Sequence, residues 1–353
     1  MANKAIDWSE FYTHVDGRTL VVPCVCFRLL LHHTSPEIIL DFYEKARELL
    51  AEQLTHYATG DGFLKQITAR SESMVPTWCK RLSKTKTYHM VMTGCDDLVQ
   101  ISPATFELNF GYNPEYSEET LEKKLAQWRD NEWGVDRGGE FCSDFVISLP
   151  VDHPMTDPDR FRGWILDLKA VSDWPFINAT AGYGIRVYSN ATGQILKTAL
   201  ERMRSLARRH IGLELPYMFG DQPFRWDPQC LQRQRFLLPL IRRVNWLTLV
   251  SDVAVNHLGG RDWISGQWRE NPGIAVTPLT QGLMVQAGPR PVLGTLERGD
   301  TAPFYRAVAK VLRPIRGSEE FYCIGDSELR DACEEWVTAL DRDYPATEEP
   351  SDA

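Results

Sequence analysis

The most constraining feature of this sequence is a long apolar segment that follows Pro239 and ends before Gly259. Its apolar side chains recur at helical spacing around most of a helix circumference and leave one narrow polar stripe. Pro239 suits the first position of a helix, and Gly259 suits the left-handed residue that closes one. The pattern predicts a buried helix over residues 240–258, around which a domain core can form. The polar stripe comprises Asn245, Thr248, Asp252 and Asn256.

Arg242 and Arg243 lie near the start of this predicted helix. A helix dipole disfavours cations in the first turn, where free backbone N–H groups carry partial positive charge. We therefore expect carboxylate partners for these two arginines, or a helix that begins earlier in the chain.

The residues that follow predict a β-hairpin and a further helix. Residues 274–276 alternate as in a strand, residues 278–282 have the composition of a turn, and residues 283–287 alternate again. Apolar residues then recur at helical spacing over residues 304–312. We expect the hairpin to pack on the buried helix and Pro314 to end the second helix.

Strand and helix patterns alternate along the rest of the chain. This succession predicts an α+β fold with mixed, largely antiparallel sheets, packed by amphipathic helices in strand-helix-strand units. Strands are predicted over residues 20–31, 88–92, 98–110, 141–151 and 181–187. Helices are predicted after Thr34 or Ser35, after Ser117, after Pro158, over residues 195–206 and over residues 329–340.

The flexible, polar residues 134–139 favour a domain boundary. This boundary would separate an N-terminal α+β part, residues 1–135, from a C-terminal α+β part, residues 136–345. One continuous domain is the alternative. Residues 346–353 are rich in Pro, Glu, Ser and Asp, and we expect them to form a frayed tail.

The composition is that of a globular protein: of 353 residues, 43% are hydrophobic and 25% are charged, with a net charge of -9. This charge argues against a general binder of nucleic acid or anionic membranes, because both would repel the protein, and it permits a basic partner. No secretory pattern occurs, and no apolar run reaches the roughly 18 residues that span a bilayer. We therefore expect a cytoplasmic protein. The eight cysteines lack zinc-like spacing, so we expect reduced thiols and neither metal nor cofactor.

Motifs with a specific catalytic meaning are missing from the sequence, which contains no Walker loop, no Gly-x-Ser-x-Gly elbow and no His-Glu-x-x-His helix. His32 and His33 are interpreted as an exposed pair beside a helix cap rather than as metal ligands. Asp152 and His153 could supply an oriented general base, but their Pro- and Asp-rich surroundings favour a turn. A carboxylate-rich helix face could hold a divalent cation, but a capped and solvated face is favoured. Its acids are Asp326, Glu328, Asp331, Glu334 and Glu335.

A polar stretch with two tryptophans is the strongest candidate for a binding surface. Trp263 and Trp268 occur there outside any apolar period, together with Arg261, Asp262 and Glu270. Aromatic and Arg residues mixed in this way are typical of hot spots in protein interfaces. The alternative is that the two tryptophans cover the core helix. We predict a surface that binds a protein partner at these five residues.

Short motifs distributed over the chain carry a family resemblance. They comprise residues 145–150, 181–184, 210–214, 244–248, 258–260, 286–288 and 312–314, together with Gly282, Pro291, Gly294 and Tyr305. In their order and spacing they resemble the type VI immunity family associated with VRR-Nuc toxins. The resemblance extends over about residues 20–316 and depends on the order of the motifs rather than on any single one.

The matching residues are mainly Gly, Pro, Trp and Leu, so the resemblance implies a shared scaffold and says little about a toxin-contacting surface. The sequence departs from the family pattern at Thr295, where the family has Asp after the glycine that matches Gly294. Here Gly299 and Asp300 follow only later. The scaffold residues of the resemblance are Trp246, Leu258, Gly259, Gly260, Gly288, Pro291 and Gly294.

The resemblance implies an immunity protein that binds a nuclease toxin of a type VI secretion system and neutralises it by occluding its active site or DNA-binding cleft. It implies a protein partner, no direct contact with nucleic acid or membrane, and no enzymatic activity. Two other classes stay open at this point. One is a metal-dependent hydrolase that uses the acids near Asp326, and the other is a structural adaptor of the secretion apparatus.

Overall fold

The computed structural model of the protein describes residues 6–31, 34–59, 63–81, 87–95, 101–111, 143–187, 194–215, 224–226, 237–316 and 335–344. These residues form an α+β fold in which one large antiparallel sheet is packed by helices. The fold class predicted from the sequence is confirmed.

The strands of the described residues form one large sheet and one small ribbon. They are β1 (Thr13–Val15), β2 (Arg18–Leu31), β3 (His56–Thr59), β4 (Lys65–Gln66), β5 (Thr87–Thr93), β6 (Thr105–Gly111), β7 (Ser143–Leu149), β8 (Asn178–Val187), β9 (Phe224–Trp226), β10 (Leu237–Pro239), β11 (Leu247–Ser251), β12 (Ile274–Leu279) and β13 (Gly282–Ala287). The 11-stranded sheet has the order β12-β13-β11-β8-β2-β7-β6-β5-β3-β4, with β1 paired to β2 outside this path. β9 and β10 form the separate ribbon.

The helices of the described residues are short to medium in length. They are α1 (Pro36–Leu50), α2 (Ala69–Glu72), α3 (Met74–Lys80), α4 (Pro158–Asp167), α5 (Lys169–Ser172), α6 (Gln194–Arg209), α7 (Asp252–His257), α8 (Arg261–Gly266) and α9 (Pro303–Leu312). Short 3-10 turns occur at Trp8–Phe11, Pro154–Thr156, Leu296–Arg298, Arg313–Ile315 and Ala339–Asp341. In the described ranges, no helix is long and apolar enough to cross a membrane.

β2 is the central strand, because it pairs along both of its edges. Phe27 lies opposite Ile147 of β7 on one edge and opposite Ala181 of β8 on the other. Both pairings are antiparallel, so β7 and β8 run in the same direction with β2 between them. The chain from β7 through α4 to β8 is therefore a crossover that spans the central strand.

One face of the sheet centre is covered by α1 and α4. Phe42 of α1 packs on Phe145 with ring centroids 5.0 Å apart, and Trp164 of α4 meets Phe27 edge-on at 6.2 Å. Ser35 caps α1 by accepting a hydrogen bond from the Ile38 amide, as one of the two predicted alternatives. Burial of large side chains of this kind stabilises the fold by roughly 1.5–3 kcal/mol each.

A second apolar cluster lies where α6 packs against the start of β2. Met203 and Leu206 of α6 contact it from one side, and Ile185 of β8 contributes from the sheet. Trp336, in the C-terminal residues 335–344, completes this cluster and is only 3% exposed. The C-terminal segment is thus part of the folded core.

The helix predicted over residues 240–258 is wrong for residues 240–251. Residues 240–246 are irregular, residues 247–251 form β11, and only residues 252–257 are helical. All five positions of β11 are buried, so both of its faces are covered, and β8 and β13 flank its edges. A strand that is apolar on both faces has no two-residue period, so it cannot be told from a buried helix by periodicity.

The expectation for the paired arginines is confirmed for Arg242 only. Arg242 forms an ion pair with the carboxylate of Glu214. Arg243 is buried and lies 4.6 Å from the Trp336 ring centroid, where it donates a hydrogen bond to the carbonyl of Ile211. Burial lowers the pKa of Arg243 to about 9.

Several further predictions are confirmed. The hairpin is β12 and β13, paired from Leu279 opposite Gly282 to Ile274 opposite Ala287. The helix after it is α9, which ends at Leu312 before Pro314. Gly259 has the positive φ expected after a helix, at 109°. The predicted helix over residues 195–206 is α6.

Some predicted boundaries shift and others lie outside the described ranges. The strand predicted over residues 98–110 starts only at Thr105, and the strand predicted over residues 141–151 is β7. The helix after Ser117 and the tail from residue 346 lie outside the described residues. Of the final predicted helix, residues 335–338 are helical and Ala339–Asp341 is a 3-10 turn. The two-part division at residue 135 stays a prediction.

Candidate functional site

Three of the five predicted binding residues, Trp263, Trp268 and Glu270, line an open groove of about 790 Å³ between two helical segments, and Arg261 and Asp262 lie outside its lining. One wall is formed by residues 263–271, which comprise the end of α8 and the turn after it. The other wall is formed by residues 307–314, which comprise the second half of α9 and the turn at Pro314. The structure therefore places the tryptophan stretch at a concave surface.

Trp263 is the exposed aromatic side chain of this groove. Its side chain is 45% exposed, although its ring rests against the backbone of Gly259. A Cβ at Gly259 would lie 3.3 Å from Trp263 Cγ, so any larger residue would press on the ring. Gly259 and Gly260 also have positive φ values, of 109° and 98°, that turn the chain from α7 into α8. The indole is thus presented in a restrained orientation.

Trp268, which was predicted together with Trp263 to contact a partner, is instead a buried side chain. It is 5% exposed, and its indole N–H lies 3.4 Å from the carbonyl oxygen of Ala307 in α9. This side chain packs in the main core and forms the floor of the groove. For Trp268, the alternative that it covers the core is therefore the one that the structure supports.

Arg261 is held in the scaffold by a two-pronged ion pair. Its Nη2 lies 2.7 and 2.9 Å from the two carboxylate oxygens of Asp252, and its Nη1 donates to the carbonyl of Leu279 at 2.9 Å. These bonds join the start of α8 to α7 and to the end of β12. Asp262 and Glu270, in contrast, are exposed beside Trp263.

Sequence reasoning missed the basic wall of the groove. Lys310 and Arg313 are exposed on the α9 side, opposite Trp263 and Glu270. Lys310 lies on the exposed side of α9 and Arg313 directly after it, where in sequence both resemble ordinary solvated residues. Only the packing of α9 beside residues 263–271 makes them part of one surface.

The residues of the family resemblance form a connected scaffold next to this groove. The indole N–H of Trp246 donates to the carbonyl of Gly288 at 3.1 Å, and Gly288 has a positive φ of 96°. The Ile211 amide donates to the carbonyl of Gly294 at 3.0 Å. Leu258 and Pro291 are buried. These contacts join the segment at 210–214 to the connection after β13.

Thr295, the departure from the family pattern, contacts a buried histidine. Its hydroxyl lies 3.0 Å from Nδ1 of His210, which is fully buried, and Nε2 of His210 lies 3.7 Å from Glu10. Burial lowers the pKa of His210 to about 4. Asp300 has a local role, since it accepts a hydrogen bond from the Ala302 amide at the start of α9.

The other catalytic candidates have structural roles or lie outside the described residues. Nδ1 of His153 accepts a hydrogen bond from the Met155 amide at 3.1 Å and so caps the turn Pro154–Thr156. Glu335 pairs with Arg208 at 2.7 Å. Within the described ranges, no three His, Cys, Asp or Glu side chains are grouped as metal ligands. The remaining candidates lie outside the described residues: His32, His33, Asp326, Glu328, Asp331 and Glu334.

The sheet face opposite α1 and α4 carries a polar cavity that the sequence did not predict. Arg28 binds the two oxygens of Asp144 at 3.0 and 2.9 Å, and His89 lies 2.9 Å from Glu107. The bond to Glu107 raises the pKa of His89. Burial would raise the pKa of Glu107, but His89 and nearby arginines lower it overall. These side chains come from β2, β5, β6 and β7, so only strand pairing brings them together.

Comparison with known proteins identifies the family. The sequence model of TsiV, described as type VI immunity for VRR-NUC, matches residues 83–340. The chain belongs to the TsiV family. It is therefore a type VI immunity protein for VRR-Nuc toxins, as its resemblance to this family implied.

A solved structure has the same fold as this TsiV protein. The Pseudomonas aeruginosa T6SS protein PA0821 superposes with a TM-score of 0.69, covering 94% of this chain and 87% of that chain. The two sequences are 14% identical, so the similarity shows the fold alone. None of the curated proteins matches this sequence. The match to the TsiV model includes the whole of the groove beside Trp263.

Proposed function

We propose that this protein neutralises its nuclease toxin by direct binding through the groove beside Trp263. The observation that supports this is an indole that is 45% exposed and restrained against Gly259. A large aromatic side chain that is already oriented loses little conformational freedom on binding, so more of its contact energy contributes to affinity. Trp is also the residue most enriched among interface hot spots.

The charges around the groove suit a nuclease surface. A nuclease must hold phosphates in a basic cleft, so Asp262 and Glu270 can pair with the same basic groups. The net charge of -9 adds long-range attraction to such a cleft and speeds association. Lys310 and Arg313 on the opposite wall would fix the orientation of the partner by pairing with its acidic residues.

This mode of action is steric and requires no chemistry from the immunity protein. A partner seated in the groove would have its active site or its DNA-binding cleft covered by the surrounding surface. The protein would act in the cytoplasm of the producing cell, where the toxin would otherwise reach DNA.

The Trp263→Ala variant tests this surface. Removing the indole should weaken toxin binding by about 2 kcal/mol or more, roughly a 30-fold loss, mainly through faster dissociation. Kinetic binding measurements with the purified nuclease, such as surface plasmon resonance, would give both rate constants.

Phe63→Ala is a suitable control, because Phe63 is an exposed aromatic residue, at 64%, in the link between β3 and β4. Its affinity for the toxin should equal that of the parent. If Trp263→Ala also binds as tightly as the parent, the contact surface lies elsewhere on the molecule.

A further inference from the structure

We propose that the polar cavity on the sheet face opposite α1 and α4 is a binding site for one oxyanion, a carboxylate or a phosphate, with Arg186 as its anchor. The site is separate from the groove beside Trp263 and goes beyond the toxin binding proposed there. The proposal is based on the shape of the cavity and on which of its charged side chains already have partners.

The cavity is a partly enclosed space of about 200 Å³ above the centre of the sheet. Its floor is formed by residues of β2, β6, β7 and β8, among them Cys26, Ser148 and Arg186. One wall is formed by Glu214, Leu215 and Arg242. A space of this size admits a small anionic group rather than a drug-sized ligand.

Each carboxylate of the cavity already has a cationic or hydrogen-bonding partner. Asp144 is bound by Arg28 through both oxygens, and Glu214 is paired with Arg242. Glu107 is hydrogen-bonded to His89 at 2.9 Å. An incoming anion would therefore meet carboxylates whose charge is largely compensated.

Arg186 is the guanidinium of this cavity that differs from the others. Its Nη1 lies 3.4 Å from the Ser148 hydroxyl, and its Nε is buried without a hydrogen-bond partner. In the part of the chain that the structure describes, no carboxylate lies within 4.0 Å of Arg186, whereas Arg28 and Arg242 each have one. Because Nε has almost no accessible surface, an anion that enters the cavity would contact the terminal Nη groups of Arg186 and supply the charge partner that this guanidinium lacks there.

An oxyanion is the acceptor that fits this arrangement. The planar guanidinium presents parallel N–H donors whose spacing matches the oxygens of a carboxylate or phosphate. The hydroxyl of Ser148 can donate a further hydrogen bond to the same group. The anion could be a free small molecule or an acidic side chain of the bound nuclease, and both would make the same contacts.

Thermal unfolding tests whether a free small anion binds in the cavity. The parent protein, Arg186→Gln, Arg186→Lys and the control Arg160→Gln are titrated with sodium acetate or sodium phosphate against sodium chloride of equal ionic strength. Arg160 is exposed on α4, on the opposite side of the sheet. A free-anion site predicts a concentration-dependent rise in Tm for the parent and Arg160→Gln, a smaller rise for Arg186→Lys, and none for Arg186→Gln.

Measurements of toxin binding with the same four proteins test whether the oxyanion is an acidic side chain of the nuclease. If no anion raises the Tm of the parent, but Arg186→Gln lowers toxin affinity tenfold or more and Arg160→Gln does not, the oxyanion is a carboxylate of the nuclease. If neither effect occurs, the proposal is wrong. If Arg186→Gln does not fold, the same comparisons are made with Arg186→Lys, which keeps the positive charge but lacks the paired N–H donors of the guanidinium. A parent that binds no toxin would contradict the proposed function and leave the thermal test unaffected.

Discussion

His210 shows how a single buried side chain can link stability to pH. It is fully buried between Thr295 and Phe11, whose ring centroid lies 4.8 Å from the imidazole. Its Nε2 has no hydrogen-bond partner, and Glu10 at 3.7 Å compensates only part of the cost of charging the ring. The imidazole is therefore neutral in the folded protein above pH 4 or so.

We expect stability to fall as the pH falls from 6.5 to about 4. In this window the unfolded chain takes up a proton on His210 that the folded protein does not, so acid favours unfolding. The loss should be on the order of 3 kcal/mol, since each unit of pKa shift corresponds to about 1.4 kcal/mol. Urea unfolding of the parent and of His210→Gln at both ends of this window measures it.

The His210→Gln variant should show a smaller loss of stability on acidification, while His257→Gln, which removes an exposed histidine, should behave as the parent does. Equal pH dependence in the parent and His210→Gln would show that His210 is not the group responsible.

The different burial of the two tryptophans could not be predicted from the sequence. Trp263 and Trp268 are five positions apart in one polar stretch, and their surroundings in sequence are similar. α8 ends at Gly266, so no helical period connects the two side chains. The direction of Trp268 is set by the later turn, which directs it toward Ala307 of α9. The sequence therefore could not say which of the two indoles is exposed.

Among the elements, the short segment at residues 210–214 is fixed by close backbone contacts. The Gly212 amide donates to the carbonyl of Leu293 at 2.7 Å, and Ile211 donates to that of Gly294. A Cβ at Gly212 would lie 3.0 Å from the carbonyl carbon of Leu293 and closer still to the carbonyl oxygen of Val292. Backbone atoms cannot rotate away as a side chain can, so glycine is required here.

Gly212→Ala should therefore lower the free energy of unfolding by about 1–3 kcal/mol, the usual cost of overpacking. Gly163→Ala is the matched control, because Gly163 lies within α4 and a Cβ there would meet nothing within 4 Å. That change should raise stability by roughly 0.5–1 kcal/mol through reduced freedom of the unfolded chain. Denaturant unfolding of both variants would contradict this account if Gly212→Ala were as stable as the parent.

The strands and helices were predictable where one face is polar and not where both faces are apolar. α1 and α9 each have an exposed side as well as a buried one, which produced a clear helical period. β11 has no exposed side, since all five of its positions are buried. The buried polar residues at its start have hydrogen-bond partners: the backbone N–H of Asn245 donates to the Thr248 hydroxyl at 3.1 Å, and the Asn245 side-chain amide donates to Glu214 at 3.1 Å.

For the molecule as a whole, the C-terminal residues 335–344 tie distant parts of the chain together. The indole N–H of Trp336 donates to the carbonyl of Leu213 at 2.9 Å, and the guanidinium carbon of Arg242 lies 5.0 Å from its ring centroid. Arg316 binds both oxygens of Asp341, at 2.5 and 2.6 Å. The segment thus closes the second apolar cluster over the end of α6.

Trp336→Ala should destabilise the protein by about 3–5 kcal/mol, because it leaves a large cavity and removes a buried hydrogen bond. Trp263→Ala, which removes an exposed indole, should change the free energy of unfolding by less than about 1 kcal/mol. Chemical denaturation of the two variants compares them directly. A Trp336→Ala variant as stable as Trp263→Ala would mean that the C-terminal segment contributes little to the core.

Sites formed by residues from several distant strands could not be predicted from the sequence. The polar cavity takes residues from β2, β6, β7 and β8, and Glu107 and Arg186 are far apart in the chain although both line it. Only the register of the sheet places them on one face. The groove beside Trp263 was partly predictable because one of its walls is a continuous stretch of sequence.

The most direct test of the account is a titration of the VRR-Nuc toxin with this protein, with DNA cleavage followed at each molar ratio. Steric neutralisation predicts that cleavage falls in proportion to added protein and ends at one equivalent, independent of the time of preincubation. Cleavage that persists in the presence of excess protein would contradict direct neutralisation. Loss of cleavage at a small fraction of one equivalent, increasing with time, would show that the protein acts as an enzyme on the toxin instead.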